Sequence, residues 1–179
     1  MPSPIAHSVS GYVLAKFLPK NLSKNNASHW WNLGNFYPVF VAIFADFDFI
    51  PQFITGERFH RGITHTLIFA IGFSLMVGWV MNYFRQSSFK QLFLFTFILY
   101  SSHLLLDLFT AGGLGLQLLW PLTDTSFKST ILVFPQVYHS REVFDISNFI
   151  SIAWELSYSV LIVSILWLWN NFSSSKFYE

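Results

Sequence analysis

The most distinctive chemical pair in the sequence is His103 and Asp107, which are separated by three leucines. Residues four apart lie on one face of an α-helix, so the imidazole and the carboxylate would project side by side. An ionised aspartate among leucines is costly unless it is paired or bound to a metal ion. The spacing therefore favours either a hydrogen-bonded pair that fixes two helices together or part of a metal site.

Two more imidazoles, those of His60 and His65, lie at the start of the most apolar segment. Gly62 allows the backbone to turn between them, and His65 falls in the first turn of the predicted helix. Two imidazoles at a helix start can reach one point in space, which favours a shared ion. The simpler alternative is a pair of separate histidines at the boundary between lipid and water.

Two carboxylates, those of Asp46 and Asp48, interrupt another apolar run, and Pro51 follows them. Residues two apart do not share a helical face, so either the helix loosens here or the two acids have different roles. Pro51 supports a local break because it lacks an N–H donor and restricts the residue before it. The alternative is a polar helix end just outside the hydrocarbon.

Four further residues are weaker candidates. His7 stands alone on a short predicted helix, as an ordinary core or surface histidine would. Glu155 lies inside an apolar run, where a hydrogen bond between helices is the simpler explanation. Arg58 and Arg61 flank His60 and could bind a phosphate group or act as ordinary flanking cations.

The segments that carry these residues are apolar enough to cross a membrane. Charged residues make up 11% of the chain and hydrophobic residues 53%, whereas a soluble domain carries about 25% charged residues. A membrane-spanning helix needs about 20 apolar residues. Three runs meet this requirement: 63–84, 91–110 and 149–169. A fourth run, 36–55, is long enough but contains two acids and a proline.

The predicted fold is therefore all-α, a multi-pass transmembrane helical bundle of about four spans with a shorter helix over residues 5–18. It forms a single membrane-embedded domain over residues 1–179. In this order, the end of 36–55, the start of 63–84 and the end of 91–110 meet at one membrane face. Of the 10 Lys and Arg residues, six lie on the opposite side and four on this one. That small excess favours the opposite side as cytoplasmic.

The chain contains no cysteine, so a metal ion would be bound by His, Asp, Glu or water. Imidazole nitrogen and carboxylate oxygen suit Zn²⁺ and similar divalent ions. Carboxylates crowded together without a cation would also repel one another. Because more than four such groups converge on one face, we expect a divalent metal, zinc first among the candidates. One or two ions with an open coordination position fit this number of groups.

Several strings in the sequence together resemble a known bacterial family: ADFDFIP at 45–51, HRGITHTL at 60–67 and SSHLLLDLFTAGGLGLQLLWPL at 101–122, with His7. They are similar to the YdjM-like proteins, which are membrane-bound predicted metal-dependent hydrolases of the inner membrane. Some members are LexA-regulated and belong to the SOS response. The resemblance covers about residues 1–125. The family is in turn similar to zinc-dependent phospholipase C enzymes, which use a His-x-x-x-Asp pair on one helix.

The resemblance implies a hydrolase and a set of metal ligands: His7, Asp46, His60, His65, His103 and Asp107. We predict that a metal-activated water attacks an ester or phosphoester, and a lipid substrate fits a site at the bilayer edge. Asp46 or Asp48 would orient or deprotonate this water. Arg61, or alternatively Arg58, would stabilise the developing negative charge.

Two other functions would use the same residues. A divalent-cation transporter would need a polar path through both leaflets, which the apolar stretches 63–84 and 91–97 hardly offer. A non-catalytic membrane scaffold would use the His and Asp residues only to fix helix register. The net charge of +1 provides no basic surface for nucleic acid. The expected partners are therefore the lipid bilayer and a lipid or phosphoester substrate, and the oligomeric state is left open.

Overall fold

The computed structural model describes residues 4–18, 35–48, 50, 62–85, 88–111, 115–135 and 146–175. Its five named α-helices are α1 (Pro4–Phe17), α2 (Phe36–Ile43), α3 (Leu67–Arg85), α4 (Phe89–Leu108) and α5 (Ile146–Ser175). Two short 3-10 helices, Phe44–Asp48 and Ile63–His65, follow α2 and precede α3. Within the described ranges the only β-structure is two isolated bridges. The predicted all-α fold is confirmed.

Three of these helices are long and apolar enough to cross a bilayer, and they contain the segments Leu67–Phe84, Phe89–Leu108 and Asn148–Phe172. They correspond to the three strongest predicted spans. The shorter predicted N-terminal helix is α1, with 14 residues.

The fourth candidate span, 36–55, begins as the eight-residue helix α2 and continues as a 3-10 helix that ends at Asp48. At about 1.5 Å per residue, α2 covers about 12 Å, less than half of a hydrocarbon layer. The backbone changes to the tighter 3-10 form where the two acids occur. The α-helix therefore ends here, but by tightening and not by the loosening that the i, i+2 spacing of Asp46 and Asp48 offered as one interpretation. Residues 49 and 51–61, which include Pro51, lie outside the described part of the chain.

The long helices α3 and α4 form an antiparallel pair, and α1 packs against α2, α4 and α5. A close approach between α1 and α2 depends on Gly11. A Cβ atom at this position would lie 2.4 Å from the Cβ of Ala42 and 2.9 Å from the carbonyl oxygen of Pro38. Because only glycine leaves this space free, α1 can lie directly on α2 and bring His7 to the end of the bundle.

Helices α1 and α5 run parallel to each other. The hydroxyl groups of Ser10 and Tyr158 are 2.9 Å apart, and further along both helices the rings of Phe17 and Trp169 meet at 5.8 Å. Glu155 lies about one turn before Tyr158 and is buried. This burial is compatible with the role in helix packing that the sequence suggested for Glu155.

A loop over residues 115–135 covers the end of the α3–α4 pair. Its backbone N–H at Ser129 donates to the carbonyl of Leu108, and the N–H of Val133 donates to the carbonyl of Phe109. The loop thus satisfies carbonyl groups that the end of a helix leaves without partners. Gly115 begins the loop with a φ of +93°, and a Cβ there would lie 2.5 Å from the carbonyl oxygen of Phe127. A larger residue would not fit this turn.

Candidate metal centre

The candidate site is built around the last two turns of α4. His103 and Asp107 lie on its buried face and are 1% and 3% exposed. His103 Nδ1 is 2.7 Å from the carbonyl oxygen of Ala42 on α2. A carbonyl can only accept, so Nδ1 carries the proton and donates it. In the neutral ring, Nε2 then has a free lone pair, and this nitrogen faces the interior of the site.

The ring of His65 is oriented in a similar way from the other side. Its Nδ1 lies 3.0 Å from the Thr64 hydroxyl oxygen and 3.2 Å from Asp48 Oδ2. The Thr64 hydroxyl donates to the same carboxylate oxygen at 3.0 Å, so its oxygen is left to accept. The Nδ1 proton of His65 therefore points toward Thr64 and Asp48, and the Nε2 lone pair points into the site. A carboxylate behind a histidine is a common support for metal-binding imidazoles.

Four ligand-type atoms converge within this interior: Asp46 Oδ1, His65 Nε2, His103 Nε2 and Asp107 Oδ2. The two Nε2 atoms are 3.3 Å apart. Asp107 Oδ2 is 3.4 Å from His65 Nε2 and 3.7 Å from His103 Nε2. Asp46 Oδ1 is 4.0 Å from His65 Nε2 and 3.7 Å from His103 Nε2.

The separations that involve the two Nε2 atoms are compatible with a divalent cation held by both imidazoles. Ligands bound at about 2.0–2.1 Å in a tetrahedral arrangement are about 3.4 Å apart. The donor set also requires a positive charge, because two imidazole lone pairs and two carboxylates repel one another unless a proton or a metal ion lies between them. Neither oxygen of Asp107 accepts a hydrogen bond within the described part of the chain. The chemistry and spacing of the residues thus fit a bound metal.

His7 extends the cluster on the side of α1. It is completely buried, and its ring stacks on that of His103 with centroids 3.8 Å apart. Its Nε2 lies 3.5 Å from Asp107 Oδ1, the carboxylate oxygen that faces away from His65. Neither ring nitrogen of His7 has a hydrogen-bond partner among the described residues. Two overlapping groups could therefore hold an ion, one of Asp46, His65 and His103 and one of His7, His103 and Asp107.

The structure separates Asp46 from Asp48, as their spacing suggested. Asp46 faces the Nε2 side of His65, whereas Asp48 faces the Nδ1 side of the same ring. The two acids therefore occupy different positions, one among the ligand atoms and one behind an imidazole. His60, Arg58 and Arg61 lie outside the described residues.

Three contributors to the site had no clear signal in the sequence. The carbonyl of Ala42 and the hydroxyl of Thr64 set the orientation of the two rings. The buried Tyr100 donates its hydroxyl to the carbonyl of Thr64 at 2.8 Å and so attaches the His65 segment to α4. Of these three residues, only Tyr100 could have been identified from the sequence, because it lies one turn before His103 on the same helical face.

Comparison with known proteins places the chain in a family. A profile described as YdjM inner membrane protein matches residues 1–176. The chain belongs to the YdjM inner membrane protein family. It is similar to the inner membrane protein YbcI of Escherichia coli (strain K12), with 29% identity over 110 residues. The match covers 62% of this chain and 59% of YbcI, so the chain spans about three-fifths of the curated relative's length. No solved structure matches.

Family membership and the three apolar helices make this a multi-pass protein of the bacterial inner membrane. The YdjM family match reaches residue 176, whereas the motifs on which the resemblance rests lie in about the first 125 residues. The more distant similarity to zinc-dependent phospholipase C is not among these matches and stays a prediction.

Proposed function

We propose that this protein is a metal-dependent hydrolase of the inner membrane that cleaves an ester or phosphoester. The observation that supports it most strongly is that two imidazole nitrogens lie 3.3 Å apart and that one oxygen of each of two carboxylates lies within 4.0 Å of both nitrogens. Histidine and aspartate without cysteine favour zinc, as one ion or, with His7, two. A site used only to fix helices would not need both imidazole lone pairs directed at one point.

The residues have distinct roles in this proposal. Asp46, His65, His103 and Asp107 would hold one divalent cation, with water as a further ligand at an open position. His7 would either hold a second ion with Asp107 or support the carboxylate of Asp107. His60, which lies outside the described residues, remains a proposed additional ligand. A cation bound here would supply Lewis-acid activation of a water molecule or of the substrate oxygen.

The proton chemistry would fall to the carboxylates. Asp46 reaches the ligand atoms with one oxygen and would accept a proton from the attacking water. Asp48, behind His65, would hold that ring in the orientation that directs Nε2 toward the other ligand atoms. We propose Arg61 as the group that stabilises the negative charge developing on the substrate.

A lipid is the substrate class that best matches the position of the site. His65 directly precedes the α3 span, and His103 and Asp107 lie in the last two turns of the α4 span. The cluster is therefore at one end of the apolar helices, within reach of lipid headgroups. A phospholipase C-like reaction and regulation in the SOS response are further hypotheses, which rest on the resemblance in sequence.

The helix interiors favour hydrolysis over cation transport. The buried hydroxyls of Ser74 and Thr96 donate to carbonyls one turn earlier on their own helices, at 2.6 and 2.7 Å. Both hydroxyl protons are therefore used within their own helices, and the Thr96 oxygen also pairs with the hydroxyl of Tyr37 on α2, so these groups do not form a polar path along α3 and α4. A transported cation would need such a continuation.

Elemental analysis of purified protein tests the metal site first. We expect a divalent metal in the wild type and only background metal in His103→Ala and Asp107→Ala. Ser102→Ala is the matched control, because the Ser102 hydroxyl donates to the carbonyl of Leu99 on its own helix. Equal metal content in all four proteins would favour the scaffold function instead.

Hydrolysis is then measured on the metal-loaded protein in lipid nanodiscs. Phospholipids with several headgroups and the soluble diester bis(p-nitrophenyl) phosphate are the probes. We expect turnover by the wild type and Ser102→Ala and none by His103→Ala. If metal binds but no probe turns over, while vesicles containing the protein accumulate the metal, transport replaces hydrolysis as the function.

A further inference from the structure

The loop over residues 115–135 has an unusually apolar surface. Six large hydrophobic side chains are exposed there: Leu119, Leu122, Phe127, Ile131, Leu132 and Val133. Leu122 is 86% exposed and Ile131 is 68% exposed, although the loop belongs to none of the apolar spans. Consecutive exposed apolar residues in water are unfavourable and usually mark a surface that contacts a partner or a membrane.

The outward direction of these side chains is fixed by the packing of the loop. Leu116 and Phe134 are buried at its two ends and attach it to the bundle. Leu116 and Phe127 exchange backbone hydrogen bonds of 2.8 Å in both directions. Since the inward positions are occupied by the residues at the two ends, the exposed hydrophobic residues between them are left to contact whatever surrounds the protein.

The loop lies at the level where the spans end. Its Leu118 carbonyl accepts from the N–H of Leu67, the first residue of α3, at 2.9 Å. At about 1.5 Å per residue, α3 and α4 are about 28 and 30 Å long, which matches the hydrocarbon thickness of a bilayer. Residues bonded to the ends of these helices must therefore lie near the boundary between acyl chains and headgroups.

The second half of the loop is also held beside the spans. The ring of Phe134 packs edge-on against that of Tyr158 in α5, with centroids 5.0 Å apart. Tyr158 is twelve residues after the start of α5, within the apolar segment Asn148–Phe172. The neighbouring Ile131, Leu132 and Val133 therefore lie alongside α5, at the level where α4 ends.

We infer that the loop over residues 115–135 is a lipid-contacting element, which inserts Leu122 and Ile131 into the interfacial layer of the bilayer. Irregular backbone does not face the hydrocarbon core, but the hydrated interface tolerates it. Because Leu118 binds Leu67, two residues from His65, the inserted loop lies next to the candidate metal centre. Lipid headgroups would then surround the site whether or not it hydrolyses them.

The absence of cysteine allows a direct test, because single cysteines can be introduced and labelled with a nitroxide. The positions are Leu122→Cys and Ile131→Cys, with two references in the same chain. Thr125→Cys is the reference at an exposed polar position in the loop, and Leu161→Cys is the reference at an exposed apolar position on the α5 span. In nanodiscs, relaxation of the label by oxygen is compared with relaxation by a water-soluble nickel chelate.

We expect the ratio of oxygen to nickel relaxation at positions 122 and 131 to be several-fold higher than at 125 and to approach that at 161. Ratios equal to that at 125 would overturn the inference. The inference would also be overturned if neither reagent reached the labels and the spectra showed dipolar broadening between labels on two copies. A second copy of the chain would then cover the loop.

A measurement on the unmodified protein guards against disturbance by the labels. In nanodiscs, a lipid-soluble diazirine should modify the peptide that contains residues 131–133 on irradiation. Modification of this peptide only by a water-soluble diazirine would contradict insertion, whatever the behaviour of the cysteine variants.

Discussion

The two halves of α4 bury the same helical face but use it for different purposes. In the first half the buried residues are Leu92, Phe95, Thr96 and Leu99, and in the second half they are Tyr100, His103, Leu104 and Asp107. The spacing of three and four residues continues unbroken through both halves. The helical repeat thus determines which side chains are buried, but it does not determine whether they form a core or a site.

The difference comes from the neighbours at each level. In the first half, Phe95 stacks on Tyr37 of α2 with ring centroids 6.0 Å apart, and the Thr96 hydroxyl is hydrogen-bonded to that tyrosine. In the second half, the same face meets the 3-10 helix that carries Asp46 and the one that carries His65. The buried face of the first half of α4 is therefore an apolar packing surface. The buried face of the second half is a polar site that depends on charge and on the orientation of the imidazoles.

The largest expected effect comes from comparing two substitutions on α4 that are one turn apart, one for each half of the helix. His103→Ala should reduce bound metal to background, because it removes an atom shared by both candidate ligand groups. Leu99→Ala should retain the metal but lower the free energy of unfolding by about 3 kcal/mol, because Leu99 is fully buried. Elemental analysis and denaturant unfolding in detergent measure the two quantities. Equal loss of metal in both variants would show that the two halves are not independent.

The next effect concerns the carboxylate behind His65. Asp48→Asn should weaken metal affinity roughly 10–100-fold, because the neutral amide no longer stabilises the Nδ1–H donor of His65. Asp124→Asn makes the same charge change at an exposed position and should leave affinity unchanged. Competition with a chelator of known affinity measures both. An unchanged affinity in Asp48→Asn would remove Asp48 from the proposed site.

A smaller effect is expected where α1 approaches α2. Gly11→Ala places a methyl group 2.4 Å from the Cβ of Ala42, so α1 must shift, and we expect a loss of about 1–3 kcal/mol in stability. Because α1 carries His7, the shift should also change metal binding. Gly72→Ala is the matched control, since no atom lies within 4 Å of the added Cβ on α3. Thermal unfolding distinguishes them, and equal melting temperatures would contradict the close contact.

The smallest effect tests the contact between α1 and α5. Tyr158→Phe removes the hydroxyl that pairs with Ser10 and should cost about 0.6 kcal/mol, the average for hydrogen bonds between membrane helices. Combining it with Ser10→Ala in a double-mutant cycle isolates the pair. Tyr83→Phe, on the exposed surface of α3, serves as the control and should be neutral. Fully additive single effects in the cycle would indicate that the two hydroxyls do not interact.

Much of the fold could be predicted because a lipid environment leaves few alternatives. Long apolar runs with few charges are expected to form spanning helices, and α3, α4 and α5 occupy the three strongest of them. The fourth run was harder to interpret, since acids at 46 and 48 lie where α2 gives way to a 3-10 helix. Hydropathy alone does not report how far a helix continues once polar side chains find partners elsewhere in the chain.

The residue types and their spacing were enough to predict which ligands are available and that His103 and Asp107 lie side by side, because a helix places residues four apart on one face. The nitrogen of each imidazole that faces inward, the positions of Asp46 and Asp48 on opposite sides of His65, and the stacking of His7 on His103 depend on how the helices pack. The tautomer of a histidine follows the hydrogen bond of its other nitrogen. Those partners, the carbonyl of Ala42 and the carboxylate of Asp48, come from segments distant in the chain.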